Sequence, residues 1–154
     1  MGTALFREHG RQVAALCWRI AAGGVVEVLL ITSLNSKRWI MPKGWSEDGH
    51  SEAQSAAREA FEEAGVMGAI SDMPIGTYHY LKEKKDGTGV PVRVEIYSLK
   101  VTGQAEHWAE KGRRQIAWLP IEQAAVRISE PGLRGILRAF HKNQSAARPR
   151  RRAG

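Results

Sequence analysis

Between Ser51 and Gly65 the chain carries its own instructions for where a helix starts and stops. The Ser51 hydroxyl suits the first turn while Gln54, three residues on, reaches back to it, and Gly65 supplies the left-handed residue that ends such a helix. At about 100° per residue, Glu59, Glu62 and Glu63 fall within one narrow arc of that helix, and Glu52, two turns earlier, joins them. Ser55 and Ala56 put little bulk between them, and Ala53, Ala57, Phe61 and Ala64 on the opposite face are expected to pack on a sheet. Like charges at i, i+4 repel, and Glu59 and Glu63 are such a pair, so the pattern makes sense if a cation offsets the repulsion. Mg²⁺ suits it, because a hard divalent ion takes oxygen ligands from a few carboxylates and keeps its other positions for water and phosphate. Arg58, four residues before Glu62, can hold that carboxylate in place.

The rest of the chain reads as strands and helices around this one. Gln12 to Ile20 and Val25 to Ser33 are apolar runs of strand formers joined by the turn Ala21 to Gly24. Trp39 to Met41 continues as a short strand, and Pro42 begins an irregular stretch. Met67 to Leu81 is strand-like toward its end. It forms a long hairpin with Val90 to Val101 across the basic, turn-rich tip Lys82 to Gly89. Arg114 to Leu119 is a further strand, Pro120 opens a helix over Ile121 to Val126, and Leu133, Ile136, Leu137 and Phe140 repeat with helical spacing. Helices placed between and after strands imply an α/β layered domain with a mixed sheet.

Charge qualifies the reading of partners. Lys and Arg total 23 against 16 Asp and Glu, giving +7, which by itself suggests a nucleic-acid or anionic-surface binder. The excess lies from Pro131 onward, in Arg134, Arg138, Lys142, Arg148, Arg150, Arg151 and Arg152; residues 1–130 hold 16 of each sign. Nucleic-acid contact is thus expected only through this tail, and without interleaved aromatics the tail lacks base-stacking groups. The single cysteine, Cys17, sits in an apolar run and reads as a packing residue, so a disulfide framework is excluded and a reducing cytoplasm is expected. No apolar segment reaches the roughly 20 residues of a membrane span. The expected organisation is a domain over residues 1–142 and a basic, flexible tail over 143–154.

The stretch from Gly44 to Val66 resembles the Nudix box, a loop-helix-loop of pattern G-x5-E-x7-R-E-U-x-E-E-x-G-U. Gly44, Arg58, Glu59, Glu62, Glu63 and Gly65 match at their offsets, Val66 closes the pattern, and Ala60 stands in for an aliphatic residue. The resemblance implies the α/β/α sandwich of that family and a hydrolase of acid anhydrides. It implies Mg²⁺, with Mn²⁺ as an alternative, on Glu59, Glu62 and Glu63, the catalytic set to which Arg58 belongs. One position departs: the first glutamate of the pattern is His50, an expected exposed loop residue, with Glu47 and Glu52 on either side able to substitute.

Residues outside the box, including Lys37-Arg38-Trp39-Ile-Met-Pro-Lys43-Gly44 and Gly112-Arg113-Arg114, resemble the diphosphoinositol polyphosphate phosphohydrolase branch. That resemblance implies a polyphosphorylated small-molecule substrate, a diphosphoinositol polyphosphate or a diadenosine polyphosphate, met by Arg38, Lys43, Gly44, Arg113 and Arg114. Arg11, Lys84, Lys85 and Arg93 are weaker candidates. Trp39 and Trp45 flank the box loop, Trp39 as a core residue and Trp45 as either a core residue or a base-stacking one. The competing readings are a catalytically weakened Nudix domain that senses a nucleotide or inositol phosphate, motivated by His50, and an RNA-binding module, motivated by the tail.

Overall fold

The computed structural model describes residues 10–147. Its strands are β1 (Arg11–Ile20), β2 (Val26–Thr32), β3 (Trp39–Ile40), β4 (Lys43–Trp45), β5 (Val66–Ile70), β6 (Gly76–Glu83), β7 (Gly89–Gln104) and β8 (Ile116–Pro120). Three α-helices accompany them: α1 (Glu52–Ala64), α2 (Ile121–Arg127) and α3 (Pro131–Ala147).

β1 is the axis of the sheet. It runs parallel to β7, from Arg11 beside Arg93 to Trp18 beside Lys100. On its other edge it pairs antiparallel with β2 through Trp18 to Ile20 and with β4 through Gln12 to Ala14. β7 is long enough to pair along its far edge first with β6 and then with β5, and β8 lies against β2. Since β2 diverges from β1 after a few residues, the free end of β1 is completed by Lys43 to Trp45, a stretch expected to be irregular.

The unbroken apolar run in β1 follows from burial on both faces. Val13, Ala15 and Cys17 face the layer formed by α1, with Ala56, Ala60, Ala64 and Leu99. Ala14, Leu16 and Trp18 face the layer formed by α2 and α3, with Ile121, Leu133, Leu137 and Phe140. The result is an α/β/α sandwich with a mixed sheet. Cys17 is fully buried, which pushes its thiol pKa up and leaves it a packing group.

The face by which α1 packs meets expectation at Ala53 and Ala64 and departs from it at Phe61. Ala56, Ala60 and Ala64 form the contact row, while Phe61 is exposed. Methyl-sized side chains let the helix axis approach the sheet closely, and a phenylalanine in the row would hold it off. The carboxylate arc therefore borders the packed face instead of opposing it, and Glu63 goes into the interior at 4 % exposure. The ends of α1 are as expected: Ser51 and Gln54 form the reciprocal capping box, and Gly65 is left-handed at φ 72°.

α3 continues through Asn143 to Ala147, five residues past the expected end of the domain; Arg148, Arg150, Arg151 and Arg152 lie outside the described residues. Among the described residues no helix is long and apolar enough to cross a membrane.

Gly65 meets two demands together, because a Cβ there would fall 2.3 Å from the Trp108 ring in addition to straining a positive φ. Gly112 has the same backbone sign, φ 84°, and open space around it. Urea denaturation is expected to show Gly65→Ala losing about 2–4 kcal/mol and Gly112→Ala about 1 kcal/mol, since strain alone acts at the second site. Equal losses at both would remove the role given to Trp108.

Candidate active site

Glu59 and Glu63 are one turn apart on α1, and their carboxyl groups lie close enough to share a hydrogen bond. Glu63 is the buried partner, and burial pushes it up from the ordinary 4.5 to about 9, with the Glu59 carboxyl adding to the shift and Arg114 opposing it. Glu59 is raised too, by burial first and then by the negative charges of Glu62, Glu110 and Glu47, while the hydrogen bond from Glu63 acts the other way. Burial and mutual repulsion thus outweigh Arg114 and favour a proton on the pair.

The loop before the helix makes room for this pair. A Cβ on Gly44 would stand 2.3 to 2.6 Å from the Glu59 carboxyl atoms, so any other residue there would push that carboxyl out of its place. Next to it the Lys43 backbone N–H donates to Glu63 Oε1 at 3.3 Å. The Lys43 ammonium lies 4.0 Å from the Tyr80 ring centroid. Burial lowers its pKa to about 8, with Lys82 and Arg38 adding to the decrease and Glu63 countering it.

Arg114 closes the opposite side. It is 10 % exposed, donates to Glu110 Oε1 through Nε at 3.2 Å and Nη2 at 3.0 Å, and through Nη1 to the Thr32 carbonyl at 3.0 Å. Its Nη2 stands 3.9 Å from Glu63 Oε1. A guanidinium held at three points is pre-oriented and loses little freedom on meeting an anion.

Glu62 is placed differently from its two neighbours. Arg58 Nε donates to it at 2.8 Å, as the i, i+4 spacing anticipates, and Arg58 Nη1 donates to Glu47 Oε2 at 2.6 Å. Glu47 is itself anchored, its N–H donating to Ser55 Oγ at 3.4 Å. His50 is exposed in the loop, and Glu52 is turned away to Arg11 and to the Tyr97 hydroxyl, which donates at 3.2 Å. Of the two flanking glutamates, Glu47 is therefore the one that meets the box arginine.

Among the described residues no three acidic, histidine or cysteine side chains converge on a single point that could hold a metal. The donor set at the site is a pair, Glu59 with Glu63. Two carboxylates fit Mg²⁺, which is commonly held by one or two of them and completed by water and substrate phosphates. The shared proton marks where a positive charge is favoured.

A cleft of ≈ 690 Å³ opens over Glu63. Arg38, Lys43 and Arg114 line it, as do Lys84 and Lys85 from the tip of the β6–β7 hairpin. Arg113 lines a neighbouring cleft of ≈ 230 Å³ that shares Arg114. Arg11 and Arg93 are engaged elsewhere, with Glu52 and Glu95. Lining residues that the sequence reading did not single out include Lys82, Tyr80 and Gln12, whose side-chain oxygen accepts from the Tyr80 hydroxyl at 2.6 Å. The signal for two of them was the alternation of β6, which places Tyr78, Tyr80 and Lys82 on one face, running from core to cleft to tip.

Comparison with known proteins bears on the family and the fold. The model of the NUDIX domain matches residues 10–140. Nudix hydrolase 12, mitochondrial, of Arabidopsis thaliana is 33 % identical over 102 residues, covering 64 % of this chain and 50 % of the relative. Diphosphoinositol polyphosphate phosphohydrolase 3-beta of Bos taurus is 33 % identical over 118 residues, 74 % of this chain and 66 % of the relative. The chain thus spans about half to two thirds of the length of such relatives.

Among solved structures, a binary complex of the C. elegans Ap4A hydrolase superposes with TM-score 0.66 at 23 % identity, covering 89 % of this chain and 98 % of that one. The NUDIX domain of Shewanella oneidensis NrtR, complexed with ADP ribose, superposes with TM-score 0.64 at 18 % identity, covering 87 % and 88 %. These two likenesses show the fold. The sandwich, the glutamate-bearing helix entered at Gly44 and left at Gly65, and the domain match over residues 10–140 make this chain a member of the Nudix family.

Proposed function

We propose that the chain is a Mg²⁺-dependent pyrophosphohydrolase of polyphosphorylated small molecules, of the diphosphoinositol polyphosphate or dinucleoside polyphosphate type. The observation that carries this reading is buried Glu63, paired with the half-buried Glu59, in a cleft walled by Arg38, Lys43, Lys82, Lys84, Lys85 and Arg114. A divalent cation bound to the pair supplies charge neutralisation at the phosphates and activation of water.

The chain's own groups do the rest. Arg114, fixed by Glu110 and the Thr32 carbonyl, presents a planar cation to phosphate oxygens beside Glu63. Lys43 adds a point charge, and its backbone N–H orients the Glu63 carboxylate. The lysines of the hairpin tip hold the remaining phosphates and raise the local concentration of polyanions. Arg58, bridged to Glu47 and Glu62, positions the outer side of α1. Glu47 at Arg58 also supports an active enzyme over a weakened sensor, because the box arginine has a carboxylate partner although His50 occupies the pattern's glutamate position.

Glu63→Gln is expected to lower turnover of a diphosphoinositol polyphosphate or diadenosine polyphosphate by about 10²- to 10⁴-fold while leaving the thermal midpoint in the metal-free state unchanged or higher. Undiminished turnover would overturn the assignment.

The same carboxyl gives a pH signature. Its folded pKa, about 9, lies above the ordinary 4.5, so the folded state holds the extra proton and stability falls as pH rises between those values. Above pH 8 Lys43 acts in the opposite sense, since its folded pKa is depressed, and the informative window is pH 6 to 8. Thermal denaturation in a chelator is expected to show a lower midpoint at pH 8 than at pH 6. Glu63→Gln should flatten that slope and Mg²⁺ should raise the pH 8 midpoint; a wild-type slope unaffected by either would count against the cation seat.

A further inference from the structure

The loop over residues 105–115, between β7 and β8, is tied to α1 at one end and to β2 at the other. Gln104, the last residue of β7, donates its side-chain amide to the Ala64 carbonyl at 3.0 Å. The Ala105 N–H donates to the Gly65 carbonyl at 2.8 Å, and the Glu110 N–H to the Glu62 carbonyl at 3.0 Å. Carbonyls at the end of a helix lack partners within it, and here the loop supplies them. At its far end the Gln115 N–H donates to Thr32 Oγ1 at 2.9 Å, and the Gln115 carbonyl accepts from the Thr32 N–H at 3.1 Å. The loop is thus a strap from the glutamate helix to β2.

Within the strap the chain turns back on itself. The Lys111 N–H donates to the Trp108 carbonyl at 3.2 Å and the Arg113 N–H to the Glu110 carbonyl at 3.0 Å, with Gly112 left-handed at φ 84°. These turns return Arg114 to Glu110, whose Oε1 accepts from both Nε and Nη2. The same Nη2 lies 3.0 Å from Glu110 and 3.9 Å from Glu63. Arg114 therefore stands between two carboxyls and is bonded to the one outside the proposed cation seat. Both members of the bonded pair are withdrawn from water, Arg114 at 10 % exposure and Glu110 at 19 %. A guanidinium at that depth is costly to leave unpaired, so loss of the Glu110 charge would turn it to the next carboxyl, Glu63.

Building on the cation seat proposed above, we infer that Glu110 is a positioning residue that withholds Arg114 from Glu63. With the guanidinium engaged by Glu110 and the Thr32 carbonyl, Glu63 stays open to a divalent cation and Arg114 keeps its unused donors for phosphate. Without Glu110, Arg114 would itself become the counter-ion of the Glu59 and Glu63 pair, and a metal would have to displace it. Access to the seat is thus controlled by a residue of the strap, which α1 holds in place through the Glu62 carbonyl.

The test is Mn²⁺ binding to the full chain without substrate, followed at neutral pH by electron paramagnetic resonance of the free ion and by calorimetry. Glu110→Gln, which keeps the shape and removes the charge, is expected to weaken binding about tenfold. Adding Arg114→Gln to that variant should restore most of the loss, whereas Arg114→Gln in the wild-type background should change affinity about threefold or less. Far-ultraviolet dichroism and melting check that each variant is folded. If Glu110→Gln is not, Glu110→Asp is measured in its place, with a loss of about threefold that Arg114→Gln relieves in the same way. Unchanged Mn²⁺ affinity in the Glu110 variant would overturn the inference. A loss that Arg114→Gln fails to relieve would overturn it in favour of Glu110 touching the metal directly, and equal gains from Arg114→Gln in both backgrounds would reduce the effect to net charge. Absence of Mn²⁺ binding by the wild-type chain would overturn the cation seat of the proposed function as well.

Discussion

The repulsion between two carboxyl groups, Glu59 and Glu63, held together where water has little access, is the constraint on which the rest of the site depends. Each neighbouring feature answers it. The Ala56, Ala60 and Ala64 row lets α1 lie so close to the sheet that Glu63 is buried. Gly44 leaves out the side chain that would displace the Glu59 carboxyl, and Gly65 ends the helix directly after the pair, against Trp108. Without a metal the raised pKa of Glu63 favours a proton on the pair, and a cation bound there would take that proton's place.

Positive charge is arranged around the pair with different degrees of freedom. Arg114 is fixed by backbone and carboxylate partners, Lys43 is half-buried over Tyr80, and Lys82, Lys84 and Lys85 extend from a hairpin. A gradient from hydrogen-bonded to exposed cations would suit a polyanion, with fixed groups near Glu63 and longer-reaching ones at the rim. None of these cations lies in the basic segment that gives the chain its +7 charge. Net charge describes the end of this chain, whereas the cations of the cleft belong to a domain body with balanced charge.

Much of the fold was legible because local rules agreed with the final packing. The Ser51 and Gln54 box, the left-handed Gly65, the β6–β7 hairpin and the apolar repeat of α3 each rest on interactions within a few residues. The face of α1 that packs was misread, since a helical wheel treats Phe61 as a core residue and gives no account of how near the sheet lies. β4 was missed because its pairing depends on β2 leaving the edge of β1, an event remote in sequence.

By itself, the amino-acid sequence determined the family: glutamates at i, i+3 and i+4, a glycine at each end and an arginine one turn before Glu62 suffice to mark the Nudix helix. Only the tertiary structure decided how those glutamates divide their work. Glu63 lines the cleft with Glu59 paired to it beside Gly44, Glu62 and Glu47 go to Arg58, and Glu52 goes to Arg11 and Tyr97. Spacing along a helix states which side chains share an arc, but burial, close approach and charged partners come from strands and loops distant in the chain. Those contacts determine which carboxylate is paired and which is left for a cation.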